Sequence, residues 1–271
     1  MQNKFYFLLL LGCALVQPTA GQINFLGKPG VMTTPSASWE EDRQLGISFS
    51  YIPREYSGTI MQTRTVPLEK NTLNFYNARV TITSFMEAYL SVAYRPLIAE
   101  KIGVGDRQLD FRFRLLKEKK YLPSLVLGWT PPGSVSPVMA HDYLAATKNI
   151  KSSVGNFRIT TGYGSPWVFP KNRDYKGVWD YLRVEEKSFF NKADYLSGFF
   201  GSITYSPVDF GGVMIEYNTN TVNAGAYLIL WDWLHFQGYA FEGKKAAFQI
   251  AGHFPLDFSP FALRKHEKSL E

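Results

Sequence analysis

The sequence has a single cysteine, Cys13, which excludes an internal disulfide framework and thiolate metal sites. Its four histidines, His141, His235, His253 and His266, are scattered and make no H-E-x-x-H spacing. Neither a G-x-S-x-G turn nor a complete dinucleotide loop is present, since Gly103-x-Gly105 lacks the third glycine. His141 and Asp142 are neighbours, and consecutive residues of a strand face opposite sides, so they make no dyad. The expectation is a protein without catalytic residues, metal or cofactor. Long apolar runs are also missing after the N-terminus. Positions 121–140 carry no charge but are broken by Pro123, Pro131, Pro132, Gly133 and Pro137, and 217–231 holds Asn218, Asn220, Asn223 and Gly225. A membrane would therefore be crossed by strands, not helices. Charged residues make up 19% and the net charge is only +6. That fits an ordinary solvated surface better than a basic path for an anionic polymer or lipid headgroups, and no nucleic-acid motif accompanies it.

What the chain does have is alternation. In 107–116, Leu109, Phe111, Phe113 and Leu115 fall on one side of an extended strand, and Asp110, Arg112 and Arg114 on the other. In 44–52, Leu45, Ile47, Phe49 and Tyr51 alternate with Gly46, Ser48 and Ser50; in 87–95, Ala88, Leu90, Val92 and Tyr94 alternate with Glu87, Tyr89, Ser91 and Arg95. Further strands fall near Val80 and Ile82, and over 121–129, 140–148, 157–163, 196–205, 213–218, 222–230, 234–241 and 246–253. Charged or Gly/Pro-rich turns separate them at 117–120, 130–137, 155–156, 206–209 and 242–245. With 16% aromatic residues, the pattern predicts an all-β fold: an antiparallel transmembrane β-barrel of roughly 10–12 strands. A soluble β-sandwich is the rival.

The ends read differently. Lys4, the apolar run 5–16 and the small-residue stretch 17–21 form a signal peptide, predicted to be removed after Gly21. The stretch Leu10-Leu11-Gly12-Cys13 also resembles a lipobox, which would acylate Cys13. The division expected is a signal peptide over 1–21, a barrel domain over 22–257 and a polar tail over 258–271, in a protein exported to a Gram-negative outer membrane. Asp110, Arg112, Arg114 and Glu216 are predicted to meet in the barrel lumen as Arg–carboxylate pairs, because unpaired charges there would be costly. Trp129, Trp231, Trp233, Tyr227 and Phe236 suit a membrane interface. Trp167 and Trp179, beside Lys171 and Arg173 in the weakly patterned stretch 164–196, are candidate glycan contacts.

Four blocks resemble the YjbH family of exopolysaccharide-associated outer-membrane proteins. They are Gly27–Ala37; Asp106–Leu116 with Tyr121-Leu122-Pro123 and Val126-Leu127-Gly128; Tyr143–Lys148 through Gly155-Asn156-Phe157 to Thr161–Gly164; and Ser197–Gly201 with Met214–Asn218, Val222–Tyr227 and Asp232-Trp233-Leu234. They occur in the family's order over about residues 25–253. The resemblance implies an outer-membrane barrel with a role in making or exporting extracellular polysaccharide. Its partners would be outer-membrane lipid, polysaccharide and export-machinery proteins. Two alternatives stand beside it: a scaffold barrel recruiting a partner through 164–196, and a barrel enzyme acting on lipid or glycan. A barrel of this size, filled by its own side chains, leaves little room for free passage of polymer.

Overall fold

The computed structural model describes residues 22–60, 72–96, 107–132, 140–169, 184–187 and 195–256. The predicted signal peptide, Cys13, Lys171, Arg173, Trp179, His266 and the polar tail lie outside these residues. The strands run β1 Leu45–Ile52, β2 Leu73–Thr83, β3 Met86–Tyr94, β4 Arg107–Leu116, β5 Ser124–Trp129, β6 Tyr143–Ser152 and β7 Gly155–Gly164. They continue with β8 Trp167–Val168, β9 Glu185–Glu186, β10 Gly198–Val208, β11 Gly211–Tyr217, β12 Val222–Leu230, β13 Leu234–Phe241 and β14 Lys245–Phe254. A short helix, α1, spans Arg54–Ile60.

All strands but β8 and β9 pair antiparallel with their neighbours, and β1 closes on β14 to make a barrel of twelve strands. Closure leaves no sheet edge and excludes the sandwich. Period-two burial runs through the strands. In β4, Gln108, Asp110 and Arg112 are buried while Leu109 and Leu115 are exposed. In β1 the inward residues Gly46 and Ser50 alternate with Ile47, which is exposed. The outer wall is a belt of aliphatic side chains, including Leu90, Leu127, Ile159, Ile203, Ile215 and Ile250.

Antiparallel closure sorts the connections by end. Turns 84–85, 153–154, 209–210 and 231–233, with 117–123, lie at one end, together with the start of β1 and the finish of β14. The connections 53–72, 95–106, 130–142 and 165–197 lie at the other, with the tight turns 218–221 and 242–244. These are the short-turn and long-loop ends. Exposed aromatics gather at both. Trp129, Tyr163, Phe199 and Tyr217 ring the long-loop end; Phe85, Phe210, Trp231 and Trp233 ring the other.

Three expectations are corrected. The hairpin before β7 turns at 153–154, ahead of Gly155-Asn156, and 206–208 belongs to β10 instead of a turn. A bulge between Tyr205 and Val208 lets the strand carry Pro207, which has no N–H for the ladder. Tyr227 does not face outward: it is buried in the lumen, its hydroxyl 2.5 Å from Ser206 Oγ. Its place follows from alternation with Asn223, also buried.

Candidate functional site: a lumen filled by the N-terminal segment

The lumen is occupied by the chain itself. Every residue from Gln22 to Ala37 is buried. The segment starts beside Arg158 near the short-turn end, where Arg158 Nη1 donates to Gln22 Oε1 at 2.5 Å. It climbs toward the long-loop end, turns at Thr33-Thr34, and returns past Glu40 to enter β1. Isolated bridges Ile23–Pro29 and Gly30–Pro35 fold it on itself. Gly27 has φ +71°, and a Cβ there would lie 2.7 Å from Asn77 Cβ, so the residue must be glycine to pass the wall.

A buried backbone needs partners for its carbonyls. The wall supplies them in sequence around the barrel. Gln237 Nε2 donates to Ile23 O (2.8 Å), Gln249 Nε2 to Asn24 O (2.5 Å), and Ser50 Oγ and Asn77 Nδ2 to Phe25 O (3.1 and 2.9 Å). Ser91 Oγ reaches Leu26 O at 3.4 Å. Arg112 Nη2 takes Ser36 O and Ser38 O at 2.7 and 3.0 Å. On the apolar side, Phe25 packs edge-on against Phe75 and Tyr195, with ring centroids 4.9 and 5.4 Å away. Leu26, Val31 and Met32 join the same core.

Charge is arranged to match. Lys28 of the segment pairs with Asp110 at 2.5 Å, both buried. Arg112 pairs with Glu87 at 2.7 Å and donates to Tyr89 Oη at 3.0 Å. Glu87 also lies 3.8 Å from Arg79, which binds Glu40 at 2.6 Å; Glu40 in turn meets His253 Nδ1 at 2.6 Å. Cation and anion thus alternate from Arg112 on β4 across Glu87 on β3 and Arg79 on β2 to Glu40 of the returning segment, which also bonds His253 on β14. Burial pushes the Glu40 carboxyl up, but Arg79 and His253 outweigh it and hold the group well below the usual carboxylate range.

Glu216 is solved differently. No cation lies within ion-pair distance of it among the described residues. The turn of the segment surrounds it with donors instead: Thr33 N and Thr34 N at 2.9 Å each, Thr34 Oγ1 at 3.0 Å, Thr33 Oγ1, and Asn223 Nδ2 at 2.8 Å. Tyr195 then ties the turn down by donating to Thr33 O.

Of the four residues expected to share one network, Asp110, Arg112 and Glu216 are brought to the lumen, each with its own partner. Asp110 pairs with Lys28, not an arginine. Arg114 lies at the short-turn rim, 2.8 Å from the half-exposed Glu41. Glu87, Arg79, Lys28 and Glu40 were missed as site residues. The alternation in 87–95 already put Glu87 on the inward face, whereas nothing local marks Lys28 or Glu40. Trp167 is exposed on β8, paired with Glu186 of β9. Of the described histidines, His141 meets Tyr195 edge-on at 4.9 Å, and His235 stacks on His253 at 4.3 Å. The Asp142 carboxylate accepts from Thr130 N at 2.7 Å. Among the described residues no group of His, Cys, Asp or Glu could hold a metal ion.

This arrangement fixes a peptide plug in a closed barrel. No curated protein matches the chain. The sequence pattern described as "Exopolysaccharide biosynthesis protein YbjH" matches residues 22–270, and the chain therefore belongs to the YjbH family.

Proposed function

We propose that this protein is a non-enzymatic barrel of the Gram-negative outer membrane, exported by its N-terminal signal, which serves exopolysaccharide or capsule production as a closed membrane anchor for the export machinery. The family supports the polysaccharide role. The aliphatic outer wall between two aromatic rings supports a bilayer as its surroundings. The observation that carries the reading is the filled lumen: from Gln22 to Ala37 the plug is buried throughout. A polymer has no path through it without displacing Lys28 and the Thr33-Thr34 turn from buried charges. The working surfaces are then the two ends. The filled lumen favours a second reading for the same reason, in which the connection 164–196 recruits a partner protein.

The test is fractionation with genetics. The mature chain should sediment with outer membranes, migrate faster on gels unless boiled, and resist release by osmotic shock. Deleting its gene should lower extracellular polysaccharide, and a copy with 170–183 replaced by a Gly/Ser linker separates the two readings by restoring or failing to restore it. Release of the chain by osmotic shock without detergent would overturn the membrane reading; unchanged polysaccharide would overturn the role.

A further inference from the structure

At the short-turn end, two neighbouring connections make a basic and apolar edge that the plug does not use. The turn 117–123 leans on the β6–β7 hairpin. Lys148 Nζ donates to Lys119 O at 2.5 Å, and Asn149 gives its backbone N–H and its amide to Glu118 at 2.9 and 2.6 Å. β5 stops pairing at Ser124–Thr147, whereas β6 and β7 pair on to Ser152–Gly155. The hairpin therefore stands beyond its β5 neighbour.

Two acidic groups at this edge, Glu118 and Glu41, are already engaged. Glu118 pairs with Lys148 at 3.0 Å, and Glu41 with Arg114 and Lys117 at 2.8 and 2.7 Å. Lys119, Lys120 and Lys151 are exposed, and no ion pair among the described residues reaches them. Beside them Tyr121 is 84% exposed and Leu122 53%. Lys120 Nζ stands 5.3 Å above the Tyr121 ring. Leu115 on β4 and, beyond Lys148, Ile150 on β6 are also exposed and carry the apolar outer wall toward this edge.

We infer that this edge binds the anionic phosphate headgroups of membrane phospholipid: Lys119 and Lys120 meet the phosphates, and Tyr121 and Leu122 enter the acyl boundary. The inference rests on the membrane reading above. Charge chooses an anion, since no ion pair among the described residues reaches Lys119 or Lys120. Position chooses lipid over an acidic protein, since the same turn continues the wall that faces acyl chains. Aromatic and long basic side chains settle at such boundaries because each has an apolar body and a polar tip. Each lysine near an anionic surface contributes about a fivefold preference, so two give at most about twenty-five-fold at low salt, falling as salt screens them.

The experiment uses the full chain with Cys13→Ser and one reporter cysteine, Tyr121→Cys, carrying a fluorophore. It is placed in phosphatidylcholine vesicles containing phosphatidylglycerol, with bromine, a short-range quencher, on the acyl chains of one lipid or the other. Asp232→Cys, at the same end on the β12–β13 turn, is the control. Brominated phosphatidylglycerol should quench the Tyr121 label several-fold more than its share of the bilayer, and the Asp232 label only in proportion. Lys119→Glu and Lys120→Glu together should abolish the excess, with gel migration of the unboiled protein unchanged. Proportional quenching by both lipids at Tyr121 would overturn the inference and leave the membrane reading standing. An excess that survives charge reversal would overturn it as well. Absence of quenching by either lipid at both positions would remove the membrane reading itself.

Discussion

Lys28 and Asp110 show what a buried charge requires. Each is almost fully enclosed, and each is the other's ion-pair partner at 2.5 Å. Removing one leaves the other desolvated, which costs about 3–5 kcal/mol where both charges were buried. Lys28→Met and Asp110→Asn should each lower the unfolding free energy of the barrel in vesicles, read from urea titration, by that order. The double variant should cost less than the sum of the two, because neither charge is then stranded. Glu40 gives a pH dependence with a definite sign. Its carboxyl is held below the ordinary value of 4.5 by Arg79 and His253, against burial. Its stabilising contribution is therefore complete above that ordinary value and fades as pH falls through the lower, folded one. Wild type and Glu40→Gln should differ by a constant amount in urea stability from neutral pH down to mild acid. The difference should vanish only in stronger acid. A difference that disappeared between pH 7 and 6 would show that the Glu40 carboxylate does not set this pH dependence.

At the scale of elements, the plug is a turn held by its wall. A Cβ on Gly30 would lie 2.1 Å from Thr34 O and 2.9 Å from the Pro35 Cα, and neither is a side-chain end that can swing away. Gly30→Ala must open the turn that presents Thr33 and Thr34 to Glu216. Hydrogen exchange should then rise across 22–37 while the strand amides stay protected. Equal loosening of strands and plug would show that the barrel cannot stand without it. The strands were legible in the sequence because period two is a local signal. Asp110, Arg112, Glu216 and Glu87 are all turned inward by their own neighbours, but alternation alone does not tell that Glu87 joins the charge network with Arg112 and Arg79. Tyr227 was misplaced because a preference for interfacial aromatics was allowed to override its alternation with Asn223. The plug was not legible at all. Residues 22–44 have no period, and the partners of Lys28, Thr33 and Glu40 sit on strands far along the chain. A Gly/Pro/Thr-rich stretch reads as a loop until closure of the barrel puts a polar wall around it.

For the whole molecule, an even number of antiparallel strands brings β1 and β14 to the same end, the one with the short turns. The plug also enters and leaves there, through Gln22 and Glu40. Bacterial outer-membrane barrels keep short turns on the periplasmic side and longer connections outside. The long connections 53–72, 130–142 and 165–197 would then face the exterior, and the basic edge at Lys119 and Lys120 would face the periplasmic leaflet. This orientation can be checked with single cysteines in the Cys13→Ser chain. Lys244, on the β13–β14 turn, lies at the long-loop end and is exposed; Asp232, between β12 and β13, is exposed at the other. A membrane-impermeant maleimide on intact cells should label Lys244→Cys at once and Asp232→Cys only after the outer membrane is permeabilised. The same full-length barrel in a planar bilayer should carry no steady ionic current, because the plug is held by buried charges in the resting protein. The two results bear on different claims. Reversed labelling would turn the plug's entrance toward the exterior and take the basic edge away from phospholipid, while leaving the lumen closed. A steady current would leave the orientation intact and show that residues 22–37 do not fill the lumen in a bilayer, so that the role of closed anchor would have to give way to that of a conduit.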